Sequence, residues 1–303
     1  MIKVRNKRDN SIGPVANAAL NAWFILLSLA CVLPILLVVI VSVSHNDSLL
    51  NRGYSFFPEK LSGIAYESLF KDYGTIVGAY GVSIGITVAG TLLSVLLMAL
   101  YAYPISRGDY PLRSFFTFVL FFTMLFSGGV VSKYIVFTQA IGLLDSYMAL
   151  ILPLLIVPFN VFIMRTFFQT TIHPALIESS RIDGAGEWLI FFRIVLPLSL
   201  PVMATMALFG TIAYWNDWFN SLLFIRSEEK YPLQFLMMRV LNDVQYLRNN
   251  VQLAAQNPEM MSQLPNESLQ MAMAVVGIGP ILLVYPFFQK YFVKGLTVGA
   301  IKG

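Results

Sequence analysis

Residues 171–201 read TIHPALIESSRIDGAGEWLIFFRIVLPLSLP, and the fold follows from how this stretch sits in the chain. Pro174 suits the first turn of a helix. Ala175, Leu176, Ile177 and Ile182 are apolar with polar residues between, so a short amphipathic helix is expected over 174–182. Asp183-Gly184 then breaks it, because glycine takes a positive φ that other residues resist. A second short amphipathic helix is expected over 187–194, and Pro197 and Pro201 stand at the start of a long apolar run. Helix, glycine turn and helix make a compact knob suited to a groove in a partner.

On both sides of the knob the chain is made for lipid. Of its 303 residues, 57% are hydrophobic and only 12% charged, about half the charged share of a soluble domain, and the mean hydropathy is +0.71. Apolar runs of about 20 residues fall at 20–44, 76–103, 112–137 (interrupted after 126), 147–168, 194–215 and 269–292. The expectation is an all-α integral membrane protein of six spans. A segment 1–19 precedes the bundle domain 20–303, and a tail 293–303 closes it. Pro34, Gly81, Gly85, Gly90, Gly128-Gly129, Pro153, Pro158, Pro280 and Pro286 interrupt the runs, which suggests kinked helices around a central path. The first run is too long for a cleavable signal and no small-residue cleavage site follows it. Cys31 lies within that run, so neither a disulfide framework nor a cysteine metal site arises within one chain.

Six spans place 12 of the 20 lysines and arginines on one face, with both termini, the 104–111 turn and the knob. Acidic residues favour the other face. By the positive-inside bias, both termini and the 171–193 loop are cytoplasmic, and the long segment 217–268 is outside. The modest net charge of +4, spread along the chain, argues against nucleic acid as a partner. His45 and His173 fall on opposite faces, which excludes a two-histidine metal site. The pattern G-x-x-x-x-G-K-[ST] is absent, so no P-loop binds nucleotide here and a partner must supply the energy.

Glu178-Ser179-Ser180, Asp183-Gly184-Ala185, then Phe191-Phe192, Ile194, Leu196-Pro197 and Pro201 closely resemble the coupling loop of ABC-importer permease subunits. Serines stand at 179 and 180 where alanines are commoner, a small-for-small change. The ending from Phe288 through Lys294-Gly295-Leu296-Thr297 to Gly299-Ala300 and Gly303 resembles the carbohydrate branch, within it the smaller permease of maltose-type importers and the group handling complex oligosaccharides. The resemblance implies a type I importer bundle in a bacterial cell (inner) membrane. It implies a second, homologous permease, two cytoplasmic ATPase subunits and an extracellular solute-binding (lipo)protein as partners. ATP and Mg would sit on the ATPase, with no cofactor bound by this chain. Glu178, Ser179, Ser180, Asp183, Gly184, Ala185 and Pro197 would then carry ATPase coupling.

Two outer segments remain open. Within 217–268, apolar residues at 233, 236, 237, 240, 241, 244 and 247 share one helical face; it could lie on the membrane, cover the outer mouth or meet a partner. By resemblance, 127–147 reaches toward the binding protein. Tyr214, Trp215, Asn216, Trp218 and Asn220 have the chemistry of a sugar path, although tyrosine and tryptophan also belong at membrane interfaces. An ion-coupled transporter would show ionisable groups within the spans, and a membrane enzyme a convergent acid–base cluster. The runs are nearly free of the first, with Arg165 near a cytoplasmic end and the others at the edges, and show none of the second. A non-sugar solute stays open as cargo, since the knob reports coupling and says little about solute.

Overall fold

The computed structural model describes residues 13–249 and 266–300. Among these residues no strand forms; one isolated antiparallel bridge joins Ser44 to Leu61. Two compact units emerge, 1–69 with 265–275, and 70–264 with 276–303.

The first unit is led by α1 (Pro14–Ser42), which starts with proline in its first turn. The helix is apolar all round and exposed from Pro14 to Leu36, the pattern of a helix whose solvent is lipid or another chain. Cys31 is among its exposed residues. Below it, α2 (Asn46–Arg52) is capped by His45, whose Nδ1 accepts from the Asp47 N–H at 3.4 Å, and α3 (Ile64–Leu69) follows. Ser42 Oγ meets the Tyr66 hydroxyl at 2.8 Å, and Ser268 Oγ donates to the Ser44 carbonyl at 2.7 Å.

The second unit is built around α4 (Tyr73–Ser106), a 34-residue helix. Three broken segments follow it. α5 (Arg113–Leu125) and α6 (Gly129–Ile135), the latter continued by π-helix over Val136–Ala140, meet at 115°. α7 (Met148–Ile151) with its 3-10 extension and α8 (Pro158–Thr171) meet at 51°. The knob follows as α9 (Pro174–Ile182) and α10 (Glu187–Ile190); a π-helical turn over Phe191–Val195 and α11 (Leu196–Leu198) then bend by 80° into α12 (Leu200–Trp215). Among the described residues three helices are each long and apolar enough to span a membrane, Pro14–Ser42, Tyr73–Ser106 and Glu267–Gln289, and counting each bent pair as one span raises that to six.

Each break has a local cause. Gly129 at φ +75° turns the chain between α5 and α6. Val157 is extended before Pro158, as a residue preceding proline prefers. Ser199 sits between the prolines at 197 and 201, at the corner before α12.

α4 and α12 approach closely because small residues face each other. Gly210 lies against Thr91, and the Tyr214 ring occupies the space over Gly90, where a Cβ would come within 2.8 Å of three ring carbons. Close backbone approach at small residues is the common means of packing helices in lipid. The Tyr214 hydroxyl donates to the Ile151 carbonyl at 2.9 Å, adding α7 to the same contact. At the other end, Arg165 and Gln169 of α8 donate to the carbonyls of Ile105 and Ser106, satisfying the last turn of α4.

The segment after α12 forms α13 (Phe219–Phe224) and α14 (Leu233–Asn249). Leu233, Phe235, Met237 and Val244 of α14 are buried. The Leu233 N–H donates to Ser83 Oγ on α4 at 2.8 Å, and Met237 packs on Gly277 of the final helix. The apolar stripe expected on this segment is thus covered within the chain along its first part; 250–265 lie outside the described residues. The final helix, Glu267–Ala300, carries Pro280 and Pro286 within it. Of the ending read as carbohydrate-type, residues 301–303 lie outside the described set.

Candidate coupling site and solute path

The knob's turn is a Schellman cap. The Gly184 N–H donates to the Arg181 carbonyl at 3.0 Å and the Ala185 N–H to Ser180 at 2.9 Å, with Gly184 at φ +84°. This 5→2 and 6→1 pair satisfies the end of α9, so Asp183-Gly184-Ala185 is a physical stop signal. His173 opens the same helix, its Nδ1 accepting from the Ala175 N–H at 3.3 Å. Ser179 and Ser180 both donate to the Leu176 carbonyl, at 3.1 and 2.7 Å, so both hydroxyls turn back on their own helix. Glu178, Asp183 and Gly184 are exposed, and Ile182 is 86% exposed. Pro197 lies on α11, between the π-helical turn and the 80° corner.

The other face of the knob is fixed to the bundle. Ile177, Ile190 and Phe191 are buried in one cluster with Met98, Ala102 and Tyr103 of α4 and Phe168 of α8. A charged lattice lies over this core. Arg107, just past α4, donates to Glu187 Oε2 at 2.6 Å, to the Tyr103 hydroxyl at 2.9 Å, and to both carboxylate oxygens of Asp109. Tyr103 donates to the same Glu187 oxygen at 3.1 Å, while Arg181 on α9 donates to Glu187 Oε1 at 2.6 Å and pairs with Asp109 at 3.1 Å. The Arg107 side chain is only 10% exposed. Its hydrogen bonds hold the Asp109 carboxyl below the ordinary carboxylate value, and Glu187 holds the Arg181 guanidinium above its own. A cleft of about 430 Å³ between the end of α4, α8 and the knob has Glu178 and Arg181 in its wall.

None of Arg107, Asp109 and Glu187 was singled out from sequence. The only trace is a charged Arg-Gly-Asp turn closing an apolar run.

At the opposite end of α12 the aromatic residues divide. Tyr214 and Trp215 are buried, and the Trp215 indole donates to the Gly277 carbonyl at 2.9 Å; their polar atoms are taken up inside the fold. Asn216 is exposed and its amide donates back to Ile212 at 2.9 Å. Trp218 is half-buried, edge-on to Phe219. Asn220 is buried and central: it accepts from Lys133 Nζ at 2.6 Å and donates to Asp217 Oδ2 at 2.6 Å. Nearby, Asp145 clasps the 226–230 turn. Its carboxylate accepts from the N–H groups of Arg226 and Ser227, from Ser227 Oγ and from Lys230 Nζ, and lies well below its ordinary value because of Lys230 and Ser227. From sequence, Lys133 and Asp145 stood only as members of the 127–147 stretch, and their partners were not legible.

Residues 81–298 match the family described as the binding-protein-dependent transport system inner membrane component. The chain belongs to that family. It is 38% identical over 281 residues to the polygalacturonan/rhamnogalacturonan transport system permease protein YtcP of Bacillus subtilis (strain 168), covering 93% of this chain and 96% of that one. It is 40% identical over 276 residues to protein LplC of the same organism, covering 90% of each. Among solved structures, a bacterial ABC transporter involved in import of the acidic polysaccharide alginate superposes with a TM-score of 0.76 at 28% identity, over 95% of this chain and 99% of that one. This family member therefore has the type I importer permease fold.

Proposed function

We propose that this permease forms half of the solute path of an ATP-driven carbohydrate importer and takes its drive from a separate ATPase docked on the 171–193 knob. The observation that carries this is the two-sided build of the knob: one face buried in the α4–α8 core, the other presenting Glu178, Asp183 and Ile182 outward. Such an element passes a partner's rigid-body motion into the bundle. A second permease completes the path and a solute-binding protein delivers cargo from outside. Both termini lie in the cytoplasm by the distribution of basic residues. Carbohydrate cargo is supported by the names of the relatives, which concern pectic polysaccharides and alginate.

Co-purification from native membrane tests this reading, comparing wild type with Gly184→Asp. Wild type should bring down an ATPase and a second permease. A Cβ at 184 meets open space, so the substitution acts through its φ, at about 1–2 kcal/mol, and through a charge placed in the docking face. The variant should keep the second permease and lose the ATPase or its solute-stimulated turnover. An ATPase that never appears, or one equally bound and coupled in the variant, sinks the assignment.

A further inference from the structure

Lys133 stands apart from the other charges. It lies on α6, beyond the glycine break that follows α5 and within the stretch 127–147 read as an outer segment. The ammonium has three donors and the fold supplies one acceptor, Asn220 Oδ1 at 2.6 Å; among the described residues no carboxylate lies within ion-pair distance. Asp217 is held one residue back, because the Asn220 backbone N–H and side-chain amide both donate to it, at 3.1 and 2.6 Å. That grip fixes Asn220 with its oxygen toward the lysine. The carboxylate steadies the ammonium without occupying it.

An aromatic floor lies beside it. Nζ stands 6.0 Å from the centre of the buried Phe224 ring, which stacks with half-buried Tyr134 and Phe137. Phe137 lies in the π-helical turn 136–140, a distortion frequent at functional sites. A half-filled ammonium beside these rings suits a pyranose bearing a carboxylate: the acid takes the remaining N–H groups and the apolar sugar face meets half-buried Tyr134 and Phe137, Phe224 itself being fully buried.

We propose that Lys133, backed by Asn220 and Asp217, is the contact through which this permease selects acidic, uronate-bearing oligosaccharides over neutral ones. This rests on the carbohydrate reading above and adds a charge requirement to it. The test uses the complex purified from native membrane with its own binding protein, reconstituted in liposomes, and compares ATP-driven uptake of trigalacturonate and neutral galactotriose. One binding protein delivers to wild type and variants alike, so any difference between them belongs to position 133. Lys133→Gln should cut trigalacturonate uptake by about ten-fold or more and leave galactotriose uptake, complex yield and basal ATP hydrolysis unchanged; Lys133→Arg should retain acidic uptake. An equal effect on both sugars, or none on either, makes Lys133 a packing or interface residue and overturns the proposal. So does a wild type that carries galactotriose and refuses trigalacturonate. If wild type carries neither sugar, the carbohydrate reading itself falls and this inference with it.

Discussion

Glu187 places one carboxylate between two arginines from different parts of the chain, Arg107 beyond α4 and Arg181 on α9. Glu187→Gln leaves the shape and removes the charge. The groups are half in water, so the loss is about 1 kcal/mol or less, read as several-fold faster amide exchange in α9 with the Ile177 core intact. Asp109 gives this lattice a pH dependence of known sign. Its carboxyl lies lower in the folded chain than in the unfolded one, so the folded state binds fewer protons. The contribution is complete above the ordinary value of about 3.9 and is lost as pH falls through the lowered one. Exchange in the knob, corrected for its intrinsic rate, should be flat from pH 8 to 5 and should quicken below about pH 4; a change between pH 6 and 8 would contradict the assignment. Gly184 was legible in the sequence because an αL position after an amphipathic helix admits few residues other than glycine. The lattice was not, because Arg107 and Glu187 are 80 residues apart and nothing local marks either as the other's partner.

At the scale of elements, the α4–α12 contact depends on one missing methyl group. Gly90→Ala would press a Cβ into the Tyr214 ring, which its bond to Ile151 holds in place. The expected cost is about 1–3 kcal/mol, seen as a lower Tm of the detergent-solubilised protein. Gly85→Ala, five residues earlier on the same helix and facing open space, should leave Tm unchanged or raise it slightly. Equal behaviour of the two would remove the notch from the account. Pattern alone marked both glycines as interruptions and could not separate them, since the difference lies in what stands opposite each. The same holds for the breaks: Gly128-Gly129 and Pro158 announced interruptions, while bends of 115°, 51° and 80° depend on packing partners elsewhere in the chain. Tyr214 and Trp215 were read with a sugar path in view, yet their hydroxyl and indole groups serve helix packing. Aromatic composition at a membrane edge does not say which way a ring turns.

For the molecule as a whole, orientation is open to direct measurement. In a Cys31→Ser background, a cysteine introduced by Glu229→Cys should react with a membrane-impermeant maleimide in intact cells. One introduced by Ile182→Cys should react only after the cytoplasmic face is opened; both wild-type side chains are exposed. The reverse pattern would invert the topology and move the knob outside. The helix α4 meanwhile has two different fastenings. Near its middle the Tyr214 ring sits over Gly90 like a peg in a slot, and its hydroxyl is tied to α7; at its C-terminal end α8 holds its last carbonyls. Sliding α12 by a single residue, about 1.5 Å, would drive that ring into the side chain of a neighbour of Gly90. These fastenings oppose translation along the helix axes, so a partner's push on the knob would move α4, α7, α8 and α12 as one block. The freedom needed to open the path on one face and close it on the other must then come from rotation of that whole block against whatever lies across the path, as one jaw of a clamp.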